Sequence, residues 1–329
     1  MMTPRNFLLL RTDRMGDLLM NLPLVHRIRQ NFPESIITVV CDEVNEPLLR
    51  RHLDINRLLP VKGSAIQGVK GFVLLWKLLR PYKFDVLVAT QPHKSFHLLG
   101  SLLGIRIRAG FKRKWGFLLN RGIADRKHEA LRHEVDYNQE ILDGICPKRW
   151  NGQLDLGLDM DPRASTIASQ FGFQDGRTII AFHMLSSDAR KEWTFARFRE
   201  TIDFLRHRPR YQLVLIGKCD PQVANEAAEA FRDTGVLNLL NRTNLTELAL
   251  LLRKVNCLVT VDSGPMHLAW MQQTPVVAIF FKEAPASNPA RWGVYPKAVK
   301  HRHFHDNRDN IRPADIAAAA EELSEPARV

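Results

Sequence analysis

Three clusters of polar residues each stand between a predicted strand and a predicted helix, the place where α/β proteins hold charged ligands. The first cluster is Arg11-Thr12-Asp13-Arg14-Met15-Gly16-Asp17. Gly16 permits a ligand to approach the backbone closely, and Asp17 is a candidate general base, a role typically worth about 10²–10⁴-fold in rate. The alternative is that Asp17 only caps the helix, which is worth roughly 0.5–2 kcal/mol.

The second cluster has the features of a phosphate site. It runs Val261-Asp262-Ser263-Gly264-Pro265-Met266-His267-Leu268-Ala269. Ser263 and Gly264 would offer backbone N–H groups at a helix N-terminus, and Pro265 suits the first helical position. The alternative is a capped helix in which His267 is an ordinary core histidine.

The third cluster combines hydroxyls and cations in one loop. It is His183-Met184-Leu185-Ser186-Ser187-Asp188-Ala189-Arg190-Lys191-Glu192-Trp193. Such a loop could hold a pyrophosphate without a metal, through its hydroxyls, Arg190 and Lys191. The alternative is a solvated polar loop. The sequence lacks a Gly-x-x-x-x-Gly-Lys run, which argues against a P-loop ATPase.

Residues 106–127 form a basic segment that points to an anionic partner. It contains Arg106, Arg108, Lys112, Arg113, Lys114, Arg121, Arg126 and Lys127, with interleaved Phe111, Trp115 and Phe117. Basic and aromatic residues also bind single-stranded nucleic acid, but no RNP-like, helix-turn-helix or zinc-finger pattern accompanies them. A solvated basic loop is the third alternative.

Composition sets the class of protein. The chain has 329 residues, 45% apolar and 25% charged, and a net charge of +12. This balance excludes a disordered chain, a collagen-like fibre and a disulfide scaffold. Residues 1–160 carry a net +9 and residues 161–329 a net +3. Four scattered cysteines without a Cys-x-x-Cys pair indicate buried thiols in a reducing compartment.

The elements that position these clusters alternate between strands and helices. Apolar runs at 7–10, 36–40, 85–89, 178–182, 212–216, 257–261 and 276–280 predict strands, and helical periodicity falls at 18–31, 96–103, 195–207, 245–252 and 313–323. This alternation predicts two doubly wound parallel sheets facing across a cleft. We expect domains at 1–160 and 161–329, joined near 150–176, with the terminal helix a candidate to pack back on the first domain.

Taken together, the motifs resemble one family. Asp13-Arg14-Met15-Gly16-Asp17 with Leu22-Pro23, His183 with Lys191-x-Trp193, Asp262-Ser263-Gly264-x-x-His267 and Arg291-Trp292-Gly293 are similar to glycosyltransferase family 9, the lipopolysaccharide heptosyltransferases. The resemblance implies a GT-B fold with an N-terminal acceptor-binding domain and a C-terminal nucleotide-sugar-binding domain. It also implies inverting, metal-independent transfer, with no cofactor.

The resemblance assigns roles to individual residues. Asp17 matches the catalytic base, Lys191 the lysine that neutralises the donor diphosphate, and the donor site includes Gly16, Ser187, Asp262, Ser263, Gly264 and His267. Lys112, Arg113, Lys114 and Arg121 would grip the acidic acceptor. The sequence departs from the family at Met184 and Leu185, where Pro-Gly is usual, and at Thr194, where Pro is usual. Asp220 is a candidate for an acidic donor contact.

These motifs favour transfer of heptose from ADP-heptose to the inner core of lipopolysaccharide, on Kdo-lipid A or an attached heptose. The alternatives are another nucleotide sugar, a nucleotide-sugar epimerase, or a basic nucleic-acid-binding protein without catalysis. No signal peptide or membrane-spanning run is evident, so we expect a cytoplasmic protein, with contact to the cytoplasmic face of the inner membrane and no nucleic-acid partner. The apolar run 72–80 predicts a buried helix, or a lipid contact.

Overall fold

The structure, a computed structural model, describes residues 4–150, 152, 156, 161–296 and 298–325. The chain forms two compact units, Met1–Leu156 and Gly157–Val329. We expected domains at 1–160 and 161–329. Part of the expected linker, residues 151, 153–155 and 157–160, lies outside the described residues.

The first unit is built on six parallel strands in the order β3-β2-β1-β4-β5-β6. Their bounds are β1 Asn6–Arg11, β2 Ile36–Asp42, β3 Arg57–Val61, β4 Val86–Ala89, β5 Ile107–Phe111 and β6 Arg121–Ile123. The central strands are almost wholly apolar because helices cover both of their faces. Predicted strands at 7–10, 36–40 and 85–89 are confirmed as β1, β2 and β4.

The described part of this unit has six helices, five between the strands and α6 after the last one. They are α1 Met15–Leu19, α2 Leu22–Asn31, α3 Glu46–Leu49, α4 Gly68–Leu79, α5 Lys94–Leu102 and α6 Glu134–Glu140, with short 3₁₀ turns at Glu43–Asn45, Gly116–Leu118 and Lys127–Glu129. Leu8, Leu10 and Leu87 of the sheet share one hydrophobic cluster with Leu75 of α4 and Leu99 of α5. Both α4 and α5 therefore lie on one face of the sheet.

The second unit repeats the topology with six further parallel strands, in the order β12-β11-β10-β7-β8-β9. Their bounds are β7 Thr178–His183, β8 Tyr211–Leu215, β9 Leu237–Asn238, β10 Cys257–Val261, β11 Val276–Phe281 and β12 His301–Asp306. Counted from the start of the unit this order is again 3-2-1-4-5-6, the doubly wound arrangement. The predicted strands of this half are confirmed.

The helices of the second unit include the predicted terminal one. They are α7 Ile167–Gln170, α8 Phe195–Leu205, α9 Pro221–Ala230, α10 Leu245–Leu252, α11 Gly264–Met271, α12 Pro289–Trp292 and α13 Pro313–Ser324, with 3₁₀ turns at Ala189–Lys191 and Arg308–Asn310. Ile316, Ala320 and Leu323 of α13 belong to the same core as Ile202 of α8 and Val259 of β10. The helix therefore buries its apolar stripe in its own unit.

This topology fixes where ligands can bind. Strand order reverses between β1 and β4 in the first unit and between β7 and β10 in the second. The connections from these strands leave in opposite directions and open a crevice at the carboxyl ends. All three polar clusters of the sequence follow β1, β7 or β10, so each lies at a reversal point. The doubly wound α/β prediction is confirmed for both units.

Two further sequence expectations can be compared with the described residues. Cys41, Cys146 and Cys257 are buried free thiols, and Cys219 is half-buried. Burial raises the pKa of the three buried thiols to about 12. No helix in the described part of the chain has the length and apolar character needed to cross a bilayer.

Candidate active site

The carboxyl end of β1 carries a buried guanidinium between two carboxylates. Arg11 is only 5% exposed. Its Nε donates to Asp13 Oδ1 at 2.8 Å, and its Nη2 donates to Asp17 Oδ1 at 2.7 Å. Its Nη1 lies 3.4 Å from Thr90 Oγ1, directly after β4. Arg11 therefore bridges the reversal point of the first sheet and fixes the position of Asp17.

Asp17 is the third residue of α1, and its carboxylate is a quarter exposed. Its described side-chain bond goes to Arg11, while Asn21 Nδ2 donates to its backbone oxygen at 2.7 Å. Arg14 is the N-cap of this described helix, and its side chain makes no capping hydrogen bond. An acid in the first turn still suits the helix dipole. The accessible, held carboxylate is nevertheless what a general base requires.

Asp13 shares this guanidinium in a more buried setting. Burial raises the pKa of Asp13 to about 6, although Arg11 lowers it, and the charge of Asp17 raises it further. Both carboxylates contact the same arginine, so Asp13 and Asp17 share one buried positive charge. Asp13 is therefore a carboxyl of this cluster that takes up a proton in mildly acidic solution.

In the second unit, the ends of β7 and β10 are joined by an ion pair. Lys191 Nζ donates to Asp262 Oδ2 at 2.6 Å. Asp262 is 5% exposed, and the buried Ser287 donates its hydroxyl to the same oxygen. Such partners offset the loss of hydration of a buried carboxylate. The pair holds the lysine ammonium beside the helix that follows β10.

A second polar network lies at the same edge. His183, the last residue of β7, places Nδ1 3.1 Å from Ser263 Oγ and 3.3 Å from Thr260 Oγ1. The Ser263 hydroxyl also donates to Val261 O at 3.1 Å. Burial lowers the pKa of His183 to about 4, so the ring is neutral at pH 7. The network fixes the Ser263 side chain beneath the start of α11.

Gly217, after β8, completes the packing around His183. Its φ is +145°, and a Cβ on it would lie 3.1 Å from Leu185 Cδ1 and 3.2 Å from His183 Cδ2. A side chain here would be strained and would press on the histidine. Glycine therefore lets the end of β8 lie against the network.

The start of α11 has the chemistry of an anion seat. Ser263 is the N-cap with φ −158° and ψ 167°, and among the described contacts its hydroxyl makes no capping bond. The first-turn amides thus point to the crevice with the positive end of the helix dipole, while Pro265 has no N–H to satisfy. His267, one turn on, is buried, which leaves its core-histidine alternative open.

Two of the residues proposed to bind the donor make none of the described contacts with the Lys191–Asp262 pair or with the His183–Ser263 network. Ser187 is exposed in the loop after β7, where Arg190 pairs with Asp188. Asp220 is exposed at the N-cap of α9. Gly16, another candidate, lies in α1 of the first unit beside Asp17. The structure pairs Lys191 with Asp262, and Ser263 and Gly264 follow Asp262 directly in the chain.

The basic segment forms an exposed turn after β5. Lys112, Arg113 and Lys114 are all exposed, and Arg113 Nη1 lies 3.1 Å from Asp125 Oδ2. Lys114 and Trp115 have φ of 44° and 69°, in the left-handed region. This bend directs three cations from the carboxyl edge that also carries the Asp17 cluster.

Arg121 lies apart from these cations. It begins β6 and pairs in register with Ala109, three residues before Lys112. At about 3.3 Å per residue, Arg121 is about 10 Å nearer the amino end of the strands. The spacing in sequence did not reveal this, because the turn at 112–120 reverses the chain.

The structure also locates the histidine series at 301–305. It lies on β12, and His303 Nε2 accepts the Val294 amide at 3.0 Å. Across the described residues, no group of three or more His, Cys, Asp or Glu side chains is arranged to hold a metal.

The amino-acid sequence of the chain matches the model of a known enzyme family. The model for glycosyltransferase family 9 (heptosyltransferase) matches residues 73–311. The chain belongs to this family. It is therefore a glycosyltransferase, and the enzyme prediction and the resemblance are confirmed.

Individual relatives match over nearly the whole chain. The lipopolysaccharide core heptosyltransferase OpsX of Haemophilus influenzae is 25% identical over 334 aligned positions, covering 98% of this chain and 88% of the relative. A family 9 glycosyltransferase structure from Veillonella parvula has a TM-score of 0.83 at 21% identity, over 98% and 97% of the two chains. The Escherichia coli ADP-heptose LPS heptosyltransferase II structure has a TM-score of 0.78 at 22% identity, over 97% and 98%.

Several residues that hold this candidate site had no role assigned to them from the sequence. Arg11 and Thr90 support Asp17, and Ser287 supports Asp262 across 25 residues of sequence. Arg11 could have been found, because an arginine that ends a buried strand needs an anionic partner. Ser287 carried no local signal, since it meets Asp262 only through the fold.

Proposed function

We propose that this enzyme transfers heptose from ADP-heptose to the inner core of lipopolysaccharide. The observation that carries the proposal is the match of nearly the whole chain to a curated lipopolysaccharide core heptosyltransferase. The ADP-heptose named for a heptosyltransferase of the same fold supports the choice of donor. The polar residues at the two reversal points supply the chemistry that this reaction needs.

The donor half of the reaction belongs to the second unit. The diphosphate of the donor would bind at the N-terminus of α11, with amides from Ser263 and Gly264 and with Lys191 as counter-charge. Asp262 and Ser287 would orient that lysine, and His267 and Ser187 are further donor contacts. Fixed N–H dipoles and one cation stabilise the charge of the leaving ADP, so the transfer needs no metal.

The acceptor half belongs to the first unit, with Asp17 as base. Arg11 occupies Oδ1, so we assign Oδ2 to the acceptor hydroxyl. The oxygen of the acceptor hydroxyl attacks the anomeric carbon of the donor heptose. At the same time the bond from this carbon to the diphosphate oxygen breaks. Asp17 takes the hydroxyl proton, ADP leaves with the electron pair, and the anomeric centre inverts. Gly16 would leave room beside the carboxylate for donor and acceptor.

The acceptor is anionic, and the first unit offers cations for it. Lys112, Arg113 and Lys114 follow β5 at the edge that holds Asp17, and would bind the phosphates and carboxylates of Kdo-lipid A. Arg121 would reach only groups farther along the acceptor. We place the reaction at the cytoplasmic face of the inner membrane, where the acceptor's lipid is anchored.

A transfer assay tests the proposal. Purified enzyme, ADP-heptose and Kdo₂-lipid A are incubated and examined by mass spectrometry, with Asp17→Asn as the matched control. A heptose adduct formed by the wild type and largely lost in the variant is the expected result. No adduct, together with no thermal stabilisation by ADP, would refute the proposed donor and reaction.

Another nucleotide sugar is the second candidate. Leu185 departs from the usual family residue and lies against Gly217 and the core beside His183. A change at this position alters the wall of the donor site. Stabilisation by ADP without heptose transfer would favour this candidate or a later acceptor, and a panel of nucleotide sugars would decide between them.

A further inference from the structure

Helix α4 presents an apolar outer face to solvent. Val69 is 80% exposed, Val73 41% and Leu74 51%, although all three are large aliphatic residues. Gly71, Leu75 and Leu79 bury the opposite side of the helix against the sheet. The inner face alone is sufficient to hold the helix, so the outer apolar residues are not explained by the core of this unit.

The inner face also seats the helix rigidly. A Cβ on Gly71 would lie 2.1 Å from the carbonyl carbon of Ile66, so the helix begins in direct contact with the preceding turn. Arg80 lies over the Trp76 ring at 5.1 Å. The outer face is thus a fixed surface of the unit.

Cations surround this apolar face without any acid on the helix. Lys70 and Lys77 are exposed and stand one turn before and one turn after Val73 and Leu74. Residues 55–124 contain 13 Lys or Arg and a single acid, Asp85. Asp85 accepts the backbone amides of Arg5 and Asn6 at 2.8 and 2.9 Å, so it is engaged within the fold. The net charge of this stretch, 13 positive charges less one negative charge, equals the net charge of +12 of the whole chain.

Neighbouring elements extend the same surface. Helix α5 packs against α4 and against the turn Gly116–Leu118. Leu102 on α5 is 59% exposed, Phe117 in the turn 81% and Trp115 beside it 44%. Lys94 of α5 lies 5.7 Å from the Trp115 ring centre. Apolar and cationic side chains therefore alternate across three adjacent elements.

We propose that the outer face of α4 docks this enzyme on an anionic lipid bilayer. Exposed aliphatic residues between lysines suit the boundary between acyl chains and acidic headgroups, where the apolar groups insert and the ammonium groups stay with the phosphates. The 12 residues of α4 are too few to span a bilayer, so the helix lies on the surface. The docking face goes beyond the proposed reaction and rests on it only for the identity of the membrane.

The lipid surface is favoured over the other anionic partner, nucleic acid. Nucleic acid would be gripped by cations and aromatic rings, and valine and leucine would add nothing to a phosphate backbone. A bilayer uses both kinds of side chain at once. Apolar insertion and charge attraction therefore make separate contributions, which two double variants can remove one at a time.

Vesicle flotation tests the docking face. The full-length enzyme is floated with vesicles of phosphatidylcholine and with vesicles of phosphatidylcholine and phosphatidylglycerol in equimolar amounts. We expect the wild type to bind the anionic vesicles. Val73→Gln with Leu74→Gln should weaken binding by about tenfold or more through lost insertion, and Lys70→Gln with Lys77→Gln by about fivefold per lysine.

Matched controls lie outside the face. Val44→Gln with Leu53→Gln removes two exposed aliphatic residues of the same unit, and Lys254→Gln with Lys300→Gln removes two exposed lysines of the other unit. Both controls should bind anionic vesicles within about twofold of the wild type. Heptose transfer to a water-soluble, delipidated acceptor should be unchanged in all four double variants.

Several results would overturn the docking face. Equal flotation of the wild type and both α4 variants would do so, as would a wild type that ignores anionic vesicles. Tight binding of a single-stranded oligonucleotide that is lost in the Lys70 and Lys77 variant would assign the face to nucleic acid. A dimer dispersed by Val73→Gln and Leu74→Gln would assign it to a second copy. Failure of heptose transfer with intact flotation would instead refute the proposed reaction alone.

Discussion

Arg11 holds two carboxylates with two different nitrogens of one planar guanidinium, which the point charge of a lysine cannot reproduce. Arg11→Lys keeps the buried positive charge but should let Asp17 move. We expect kcat to fall by up to about 10²-fold, the scale associated with a misplaced catalytic group. Donor affinity should be unchanged, because the residues proposed to bind the donor diphosphate lie in the other unit. Steady-state kinetics check this prediction, with Arg14→Lys, a change at an exposed neighbouring residue, as the control. A rise in the KM for the donor with unchanged kcat would contradict it.

Asp13 gives stability a specific dependence on pH. Its pKa is raised from 3.8 to about 6, so the folded chain binds this proton more tightly than the unfolded chain. Stability from this group is therefore present at low pH and is lost as pH rises through about 4–6. The free energy of unfolding of the wild type, minus that of Asp13→Asn, should fall by an order of 1–3 kcal/mol across this window. Urea unfolding at several pH values measures it; a flat difference would refute the raised pKa.

At the scale of elements, the end of β8 depends on a glycine. Gly217→Ala would force a side chain into left-handed backbone and against His183, so we expect a loss of about 2–4 kcal/mol in stability and weaker ADP binding. Gly235→Ala is the control, since its φ is +71° but nothing lies within 4 Å of the added Cβ. That variant should lose only about 1 kcal/mol from backbone strain. Equal losses in the two variants would show that contact with His183 contributes nothing.

Elements with strong apolar patterns could be predicted, and weakly patterned ones could not. Buried runs such as 7–10 and 257–261 became β1 and β10 because parallel strands covered on both faces are almost wholly apolar. The edge strand β3, with its exposed Pro60, and the short β6 lack that pattern and were not predicted. The 72–80 run was predicted as one helix, but which side faced outward depended on where the sheet lay.

For the candidate site, the sequence predicted the residues at strand ends but not the residues that support them. Asp17, Lys191 and Ser263 stand at strand ends that local sequence identifies. Their supports come from distant parts of the chain: Thr90 is 79 residues from Arg11, and Asp262 is 71 residues from Lys191. Only the order of strands brings these side chains together, and no local pattern contains that order.

For the whole molecule, the division of labour between the units makes binding and chemistry separable. ADP at about 100 times its Kd should stabilise the wild type by about 2.7 kcal/mol. Asp17→Asn should show the same stabilisation but little transfer, because its carboxylate belongs to the first unit. Lys191→Met should lose most of the stabilisation, and Lys218→Met, an exposed neighbour, should not. Thermal unfolding with and without ADP measures all four proteins; equal loss in Asp17→Asn and Lys191→Met would contradict the division.

Charge is distributed unevenly along the first unit, and the exposed Lys70 and Lys77 make the outer face of α4 basic. Residues 55–124 hold 13 Lys or Arg against one acid, whereas the rest of the first 160 residues hold 12 Lys or Arg against 15 Asp or Glu. A body with one basic face experiences a torque near any charged surface, within a range of about 8 Å at physiological salt. It turns its basic side toward an anionic surface before any atom touches, which raises the fraction of collisions that arrive correctly oriented. Added salt should therefore reduce this orientation before contact at lower concentrations than it reduces the affinity of the bound enzyme for the surface.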